Sequence, residues 1–220
     1  MHYDAIIFDL DGTIINTEHL WQQATMELIL NHHKPYTKSL QSQLAHDLRG
    51  KFLGPSIEHV KKLTGIDVDS AILGREKLAI FTRLLAGSVE FIPGFVAFYE
   101  KIQGKGLKLA IATNSDDICV LNVTQSLHLD KYFQSHIYHV QHVNGIGKPS
   151  PDIYLHAAKQ LGVEPSRCLV IEDSATGISA GLAAGMTVIG INTGKNLEQL
   201  KKAHHIVETY GAIDVETIIG

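Results

Sequence analysis

The sequence predicts an α/β protein: a doubly wound, mainly parallel sheet with a long all-helical segment inserted after its first strand. Three observations carry this. A short apolar run, Ala5 to Phe8, ends abruptly in Asp9-Leu10-Asp11-Gly12-Thr13, the pattern of a buried strand bounded by a turn. The following stretch, as far as about Ser88, reads as helical throughout with little strand signal. From Ile92-Pro93-Gly94 onward, short β-rich runs alternate with helical segments, which implies βαβ units and a parallel sheet.

Taken in order, Asn16-Thr17-Glu18 makes a helix start, with capping residues and an acid in the first turn. Trp21, Ala24 and Leu28 share one face of that helix, Met26, Ile29 and Leu30 widen its apolar stripe, and Pro35 ends it. Residues 39–48 read as a second, polar helix, and Arg49-Gly50-Lys51 as a basic loop. Ile57, Val60 and Leu63 mark a third helix that stops before Gly65; Leu78, Phe81 and Leu85 mark a fourth. Residues 16–90 are therefore expected to form a helical domain, and residues 1–15 with 91–220 the sheet domain. In the second half, helices are expected at 95–103, 116–127, from Pro151, and at 175–184. Pro151 and Asp152 are both favoured in a first helical turn. Strands are expected at 107–112, 137–140, 168–171, 187–191 and 205–207.

Composition narrows the function. The 220 residues suffice for one large domain or two small ones, and 45% hydrophobic with 19% charged content is ordinary for a soluble protein. A net charge of -4 supplies no basic stripe, which argues against a nucleic-acid partner. No apolar run reaches the ~18 residues of a spanning helix, and no leader pattern opens the chain, so no membrane partner is expected. Cys119 and Cys168 allow at most one bridge and lack metal-type spacing, as in a reduced, cytoplasmic chain. Thirteen histidines cluster at 32–33, 136/139/142 and 204–205. None shows the helical pairing with an adjacent acid that marks zinc, so they read as structural. With no obvious exposed apolar stripe, a monomer is expected.

Four strand-to-loop transitions carry chemistry-competent side chains: Asp9/Asp11, Thr113/Asn114/Ser115, Lys148, and Glu172/Asp173. In a parallel sheet, right-handed crossovers bring all four to one edge. Each has an ordinary explanation too: a turn for Asp11-Gly12, helix caps for Thr113, Ser115 or Glu172-Asp173, an exposed loop position for Lys148. Together they fit phosphoryl transfer. Asp9 would attack phosphorus to give an aspartyl-phosphate. Asp11 would protonate the leaving alkoxide and later take a proton from water. Asp9, the backbone carbonyl of Asp11, and Asp173 offer the hard oxygen ligands that Mg²⁺ prefers. Thr113 and the N–H of Asn114 would hold phosphate oxygens whose charge Lys148 offsets.

These segments strongly resemble the haloacid dehalogenase-like hydrolase superfamily. The matching motifs are DLDGT at 9–13, ATNS at 112–115, GKPSPDIY at 147–154 and IEDSATGISAGLAAGM at 171–186, in the family's order and over essentially the whole chain. The resemblance implies a Rossmann-like core with the helical insert as a mobile cap. It implies Asp9 as nucleophile, Asp11 as acid/base, Thr113 and Lys148 as phosphate ligands, and Asp173 as a magnesium ligand with Glu172 behind it. Members that cleave carbon–halogen bonds lack the second acid; Asp11 is present here, which disfavours dehalogenation. β-Phosphoglucomutases of the same subgroup carry a histidine in the first cap helix, where this chain has Trp21; His19 lies two residues early. The expectation is therefore a magnesium-dependent phosphatase acting on a small phosphorylated metabolite, with sugar-phosphate mutase the alternative. Arg49, Gly50 and Lys51 would close over the substrate or form a solvated basic turn, and Trp21 would serve the cap core or touch substrate. A phosphoryl-receiving signalling module also uses Asp, Mg²⁺, Thr and Lys, but needs no helical insert.

Overall fold

The computed structural model describes residues 3–48, 51, 53–85 and 89–219. Strand β1 (Ala5–Phe8) is buried end to end, as an apolar run must be when both faces of a parallel sheet are covered. It leads into α1 (Glu18–Asn31), α2 (Lys38–Asp47), α3 (Leu53–Thr64) and α4 (Ser70–Leu85). Helices α1 and α4 lie against each other, with Trp21 stacked on Phe81 at 3.7 Å between ring centroids and 12° between planes. The buried side of α1 is Leu20, Ala24, Thr25, Leu28 and Ile29, whereas Leu30 is 49% exposed, so the apolar stripe is narrower than its sequence suggests. The helix also ends at Asn31, ahead of Pro35. His33, in the left-handed region at φ 55°, turns the chain first.

The chain continues through α5 (Phe95–Ile102), β2 (Lys108–Ala112), α6 (Asp117–Leu127), the short α7 (Asp130–Phe133) and β3 (Ile137–Tyr138). After α8 (Asp152–Leu161) come β4 (Cys168–Glu172), α9 (Ala175–Ala183), β5 (Thr187–Ile191), α10 (Leu197–Leu200), β6 (His205–Val207) and α11 (Val215–Ile219). β3 stops two residues short of expectation because the chain tightens into a 3₁₀ turn at Val140–Val143. The six strands run β3-β2-β1-β4-β5-β6, and every pairing is parallel. Chain order reverses beside β1, so the crevice at its carboxyl end is the natural ligand position of such a sheet. Among the described residues no helix is long and apolar enough to cross a membrane, and Cys119 and Cys168 are free and buried.

Each face of the sheet has its own core. One is aromatic: Phe8 meets Phe95, Phe98 and Phe133 edge-on at 5.7–6.3 Å, the geometry ring quadrupoles favour. The other packs Ile7, Val170 and Val188 beneath α8 and α9. Here small residues let the helix approach closely: a Cβ on Gly181 would lie 2.8 Å from Val188 Cγ2. Gly181→Val is expected to lower the unfolding free energy by about 1–3 kcal/mol through overpacking. Urea denaturation measures this, and an unchanged midpoint would show that α9 has slack against the sheet.

Candidate active site

β1 stops where its chain swings into Asp9 and Asp11, and three distant segments fasten the turn that follows. Thr193 Oγ1 donates to the Gly12 carbonyl at 2.7 Å, Tyr210 OH to the Thr13 carbonyl at 3.0 Å, and Thr13 Oγ1 to Asp173 Oδ1 at 3.4 Å. Gly12 has φ 85°, and a Cβ there would sit 2.4 Å from Asp173 Oδ2. Only glycine brings this backbone so near a carboxylate.

Around Asp9 the charges are dense and dry. Asp9, Glu172 and Asp173 are all buried and place one carboxylate oxygen each within 4.8 Å of the others. Lys148, 4% exposed, donates from Nζ to Asp9 Oδ1 at 2.6 Å and to Glu172 Oε1 at 2.8 Å. Burial alone would lower the lysine's pKa, but the charges of Asp9 and Glu172 outweigh it and raise the value well above the ordinary one. Burial pushes Asp9 the other way, up to about 7, with Lys148 pulling against it. Glu172 is engaged on both oxygens: Oε1 by Lys148 and by Tyr154 OH at 3.1 Å, Oε2 by the backbone N–H of Ser174 at 2.8 Å and its hydroxyl at 2.9 Å. These contacts tie Lys148 to the start of α9. Asp9, Glu172 and Asp173 gather hard oxygen donors that suit a divalent cation such as Mg²⁺.

Asp11 has different surroundings. Its side chain is absent from the acid cluster and reaches neutral donors instead. Thr17 Oγ1 and Trp21 Nε1 donate to Oδ1 at 2.5 and 3.3 Å, and Ser115 Oγ donates to Oδ2 at 2.5 Å. Thr17, whose backbone at φ -109° and ψ -6° is not the extended conformation of a capping residue, makes no capping bond to α1. The helix starts nearby are capped by other side chains, α6 by Asp116 and α9 by Ser174. Thr113 Oγ1 accepts from the Ser115 N–H at 3.0 Å and keeps its own proton to donate. Asn114 uses its side chain to hold the Lys148 backbone, accepting from its N–H at 2.8 Å and donating to its carbonyl at 3.4 Å.

The four acids, Lys148 and residues 113–115 line a cavity of about 370 Å³ between the sheet edge and the helical insert. The insert's wall includes Trp21, Gln22, Tyr36, Leu44, Ser56 and Lys77. Lys77 escaped sequence reasoning because a lysine in a helix ordinarily points to water. It is 3% exposed, and burial lowers its pKa to about 8. It donates to Ser56 Oγ at 2.8 Å and stands 5.6 Å from the centre of the Trp21 ring, with no carboxylate paired to it among the described residues. Trp21 both packs on Phe81 and faces the cavity. His19 is exposed. Lys51 lies at the cavity wall; Arg49 and Gly50 lie outside the described residues.

Known proteins resemble this chain in sequence and fold. Residues 3–185 match the family model of the haloacid dehalogenase-like hydrolases. The chain is 31% identical over 199 residues to a phosphorylated carbohydrates phosphatase of Thermotoga maritima, covering 88% of this chain and 89% of the relative. It is 32% identical over 191 residues to a fructose-1-phosphate phosphatase of Escherichia coli, covering 86% and 96%. A crystal structure of a haloacid dehalogenase hydrolase of family IA, variant 3, from Entamoeba histolytica superposes with a TM-score of 0.85 at 29% identity, over 100% of this chain and 98% of that one. With sequence and architecture in agreement over nearly its full length, the chain belongs to the haloacid dehalogenase-like hydrolase family.

Proposed function

We propose that this protein is a magnesium-dependent phosphatase that hydrolyses a small phosphorylated carbohydrate through an aspartyl-phosphate on Asp9. The observation that carries the reading is the division of labour between two carboxylates two residues apart. Lys148 grips Asp9 within the acid cluster, while Asp11 meets only hydroxyls and an indole at the cavity wall. The different partners fit an attacking group beside a cation and a separate proton carrier.

In the first step an Asp9 oxygen bonds to phosphorus while the ester P–O bond breaks, and Asp11 gives its proton to the departing sugar oxygen. In the second, water attacks phosphorus, its proton passes to Asp11, and the Asp9–phosphorus bond breaks to release inorganic phosphate. The Thr113 hydroxyl and the Asn114 N–H hold phosphate oxygens, and Lys148 balances their charge. Asp9, the Asp11 carbonyl and Asp173 would hold the cation, with Glu172 behind them. When bound, the cation supplies positive charge that offsets repulsion between an anionic ester and an anionic nucleophile.

Residues 16–90 form the cap and residues 1–15 with 91–220 the catalytic core in this reading. The carbohydrate would meet the cap wall, where Gln22, Ser56 and Lys77 offer polar partners beside Trp21 and Tyr36. The two phosphatase relatives support this substrate class by their names. A mutase is disfavoured: at the position of the mutase histidine, the indole of Trp21 can donate a hydrogen bond but accepts no proton.

A panel of sugar, sugar-alcohol, glycolate and nucleotide phosphates assayed with Mg²⁺ tests the reading. Continuous phosphate release from a sugar phosphate is expected, with at least a thousandfold loss in folded Asp9→Asn; most activity retained in that variant would overturn it. The cation assignment has a pH signature. A carboxyl raised from 3.8 to about 7 in the fold keeps a proton that the unfolded chain releases, so it costs stability as pH rises through that window. Mg²⁺ at about 100 times its Kd should raise the Tm of EDTA-treated protein by about 5–10 °C at pH 8 and by little at pH 4.5. Equal shifts at both pH values would separate the cation from Asp9. Lys77→Met is expected to raise KM for the preferred sugar phosphate about tenfold with kcat within about twofold, the mark of lost uniform binding.

A further inference from the structure

We propose that Trp21 is a positioning residue for Asp11, so that the proton-carrying side chain of the core is aimed by a ring of the cap. The inference rests on the reading of Asp11 as the acid, and goes beyond it by naming what holds that acid in place.

Asp11 is held from two sides. Ser115, which follows β2 in the core, donates to Oδ2. Thr17 and Trp21, at the start of the insert, donate to Oδ1. Thr17 is only six residues from Asp11 and belongs to the same connecting segment, so its bond follows local chain geometry. Trp21 is different, because its ring is locked from the far side of the insert. Phe81 of α4 stacks on it at 3.7 Å and 12°, and Lys77, one turn earlier on α4, stands 5.6 Å from its centre. A ring fixed in this way cannot swing to follow Asp11. It holds Asp11 only when the α1–α4 pair is docked as seen here. The indole N–H is also a donor only, so it fixes one orientation of the carboxylate without competing for its proton.

A misaligned acid hurts most where a proton is most needed. The alkoxide of a sugar leaves poorly unless it is protonated in the transition state, whereas p-nitrophenolate is a weak base and leaves without help. Loss of the Trp21 N–H should therefore lower kcat/KM for a sugar phosphate and spare kcat/KM for p-nitrophenyl phosphate. A merely structural role would lower both alike.

The chain has one tryptophan, which permits an almost isosteric test. Production in a tryptophan auxotroph supplied with β-(3-benzothienyl)alanine replaces the indole N–H by sulfur at Trp21 and nowhere else. Trp21→Phe serves as the second variant, with thermal unfolding to confirm that both remain folded. The expected result is about a tenfold loss of kcat/KM on the sugar phosphate, the scale of one hydrogen bond to a charged group, carried by kcat and not by the rise in KM that a lost sugar contact would give, and less than a twofold change on p-nitrophenyl phosphate. Equal losses on both esters, or no loss on either, would overturn the proposal. If unmodified protein turned over neither ester, the phosphatase reading itself would fall, which is a separate outcome.

Discussion

Three carboxylates buried within 4.8 Å of one another are the constraint on which the carboxyl edge of the sheet depends. Unpaired buried charges are costly enough to unfold a domain or to neutralise themselves. Lys148, reaching two of the three acids, makes the arrangement tolerable, and much of the surrounding structure serves to hold that lysine. Asn114 pins its backbone, Tyr154 lies 4.7 Å beneath its ammonium group, and Glu172 is anchored by Ser174 at the start of α9. β2, the Lys148 loop, α8 and β4 are thus tied to the end of β1 by a single ionic centre.

That centre also explains why the insert is tolerated where it is. The loop after β1 is fastened by Thr193, Tyr210 and Asp173, contacts that come from the far end of the chain. The helices α1 to α4 can then leave and return without loosening Asp9. The return point is stitched as well: the Asn16 N–H donates to the Glu90 carbonyl and the Ile92 N–H to the Ile14 carbonyl, so both ends of the insert share one narrow neck.

Much of this was legible in the sequence, for physical reasons. Strands buried on both faces leave uninterrupted apolar runs, so β1 and β4 stand out. Polar residues immediately after such runs mark the carboxyl edge of a parallel sheet, which is how Asp9, Thr113 and Asp173, all at the cavity, stood out. What escaped was whatever depends on two segments meeting. Thr17 reads as a cap because Ser, Thr and Asp favour that position, yet its backbone is not extended as a cap requires, and its hydroxyl donates to Asp11. Asn114 reads as a backbone donor while its amide does the structural work on Lys148. Lys77 and Ser56 become a pair only once α3 and α4 pack. The Pro35 signal misled because a left-handed residue turned the chain first, and the reach of Leu30 into the core was overstated because the buried stripe is narrow and Leu30 lies outside it.

Trp21 has one more property that follows from its place. It is the chain's sole indole, it lies between the insert and the sheet edge, and its neighbours include an aromatic face, a lysine and a carboxylate, each of which alters indole emission. The tryptophan emission of the molecule, selected by exciting the indole apart from the tyrosines, is therefore a report from one location, the wall of the cavity. Filling of the cavity can be followed in unlabelled protein by light alone.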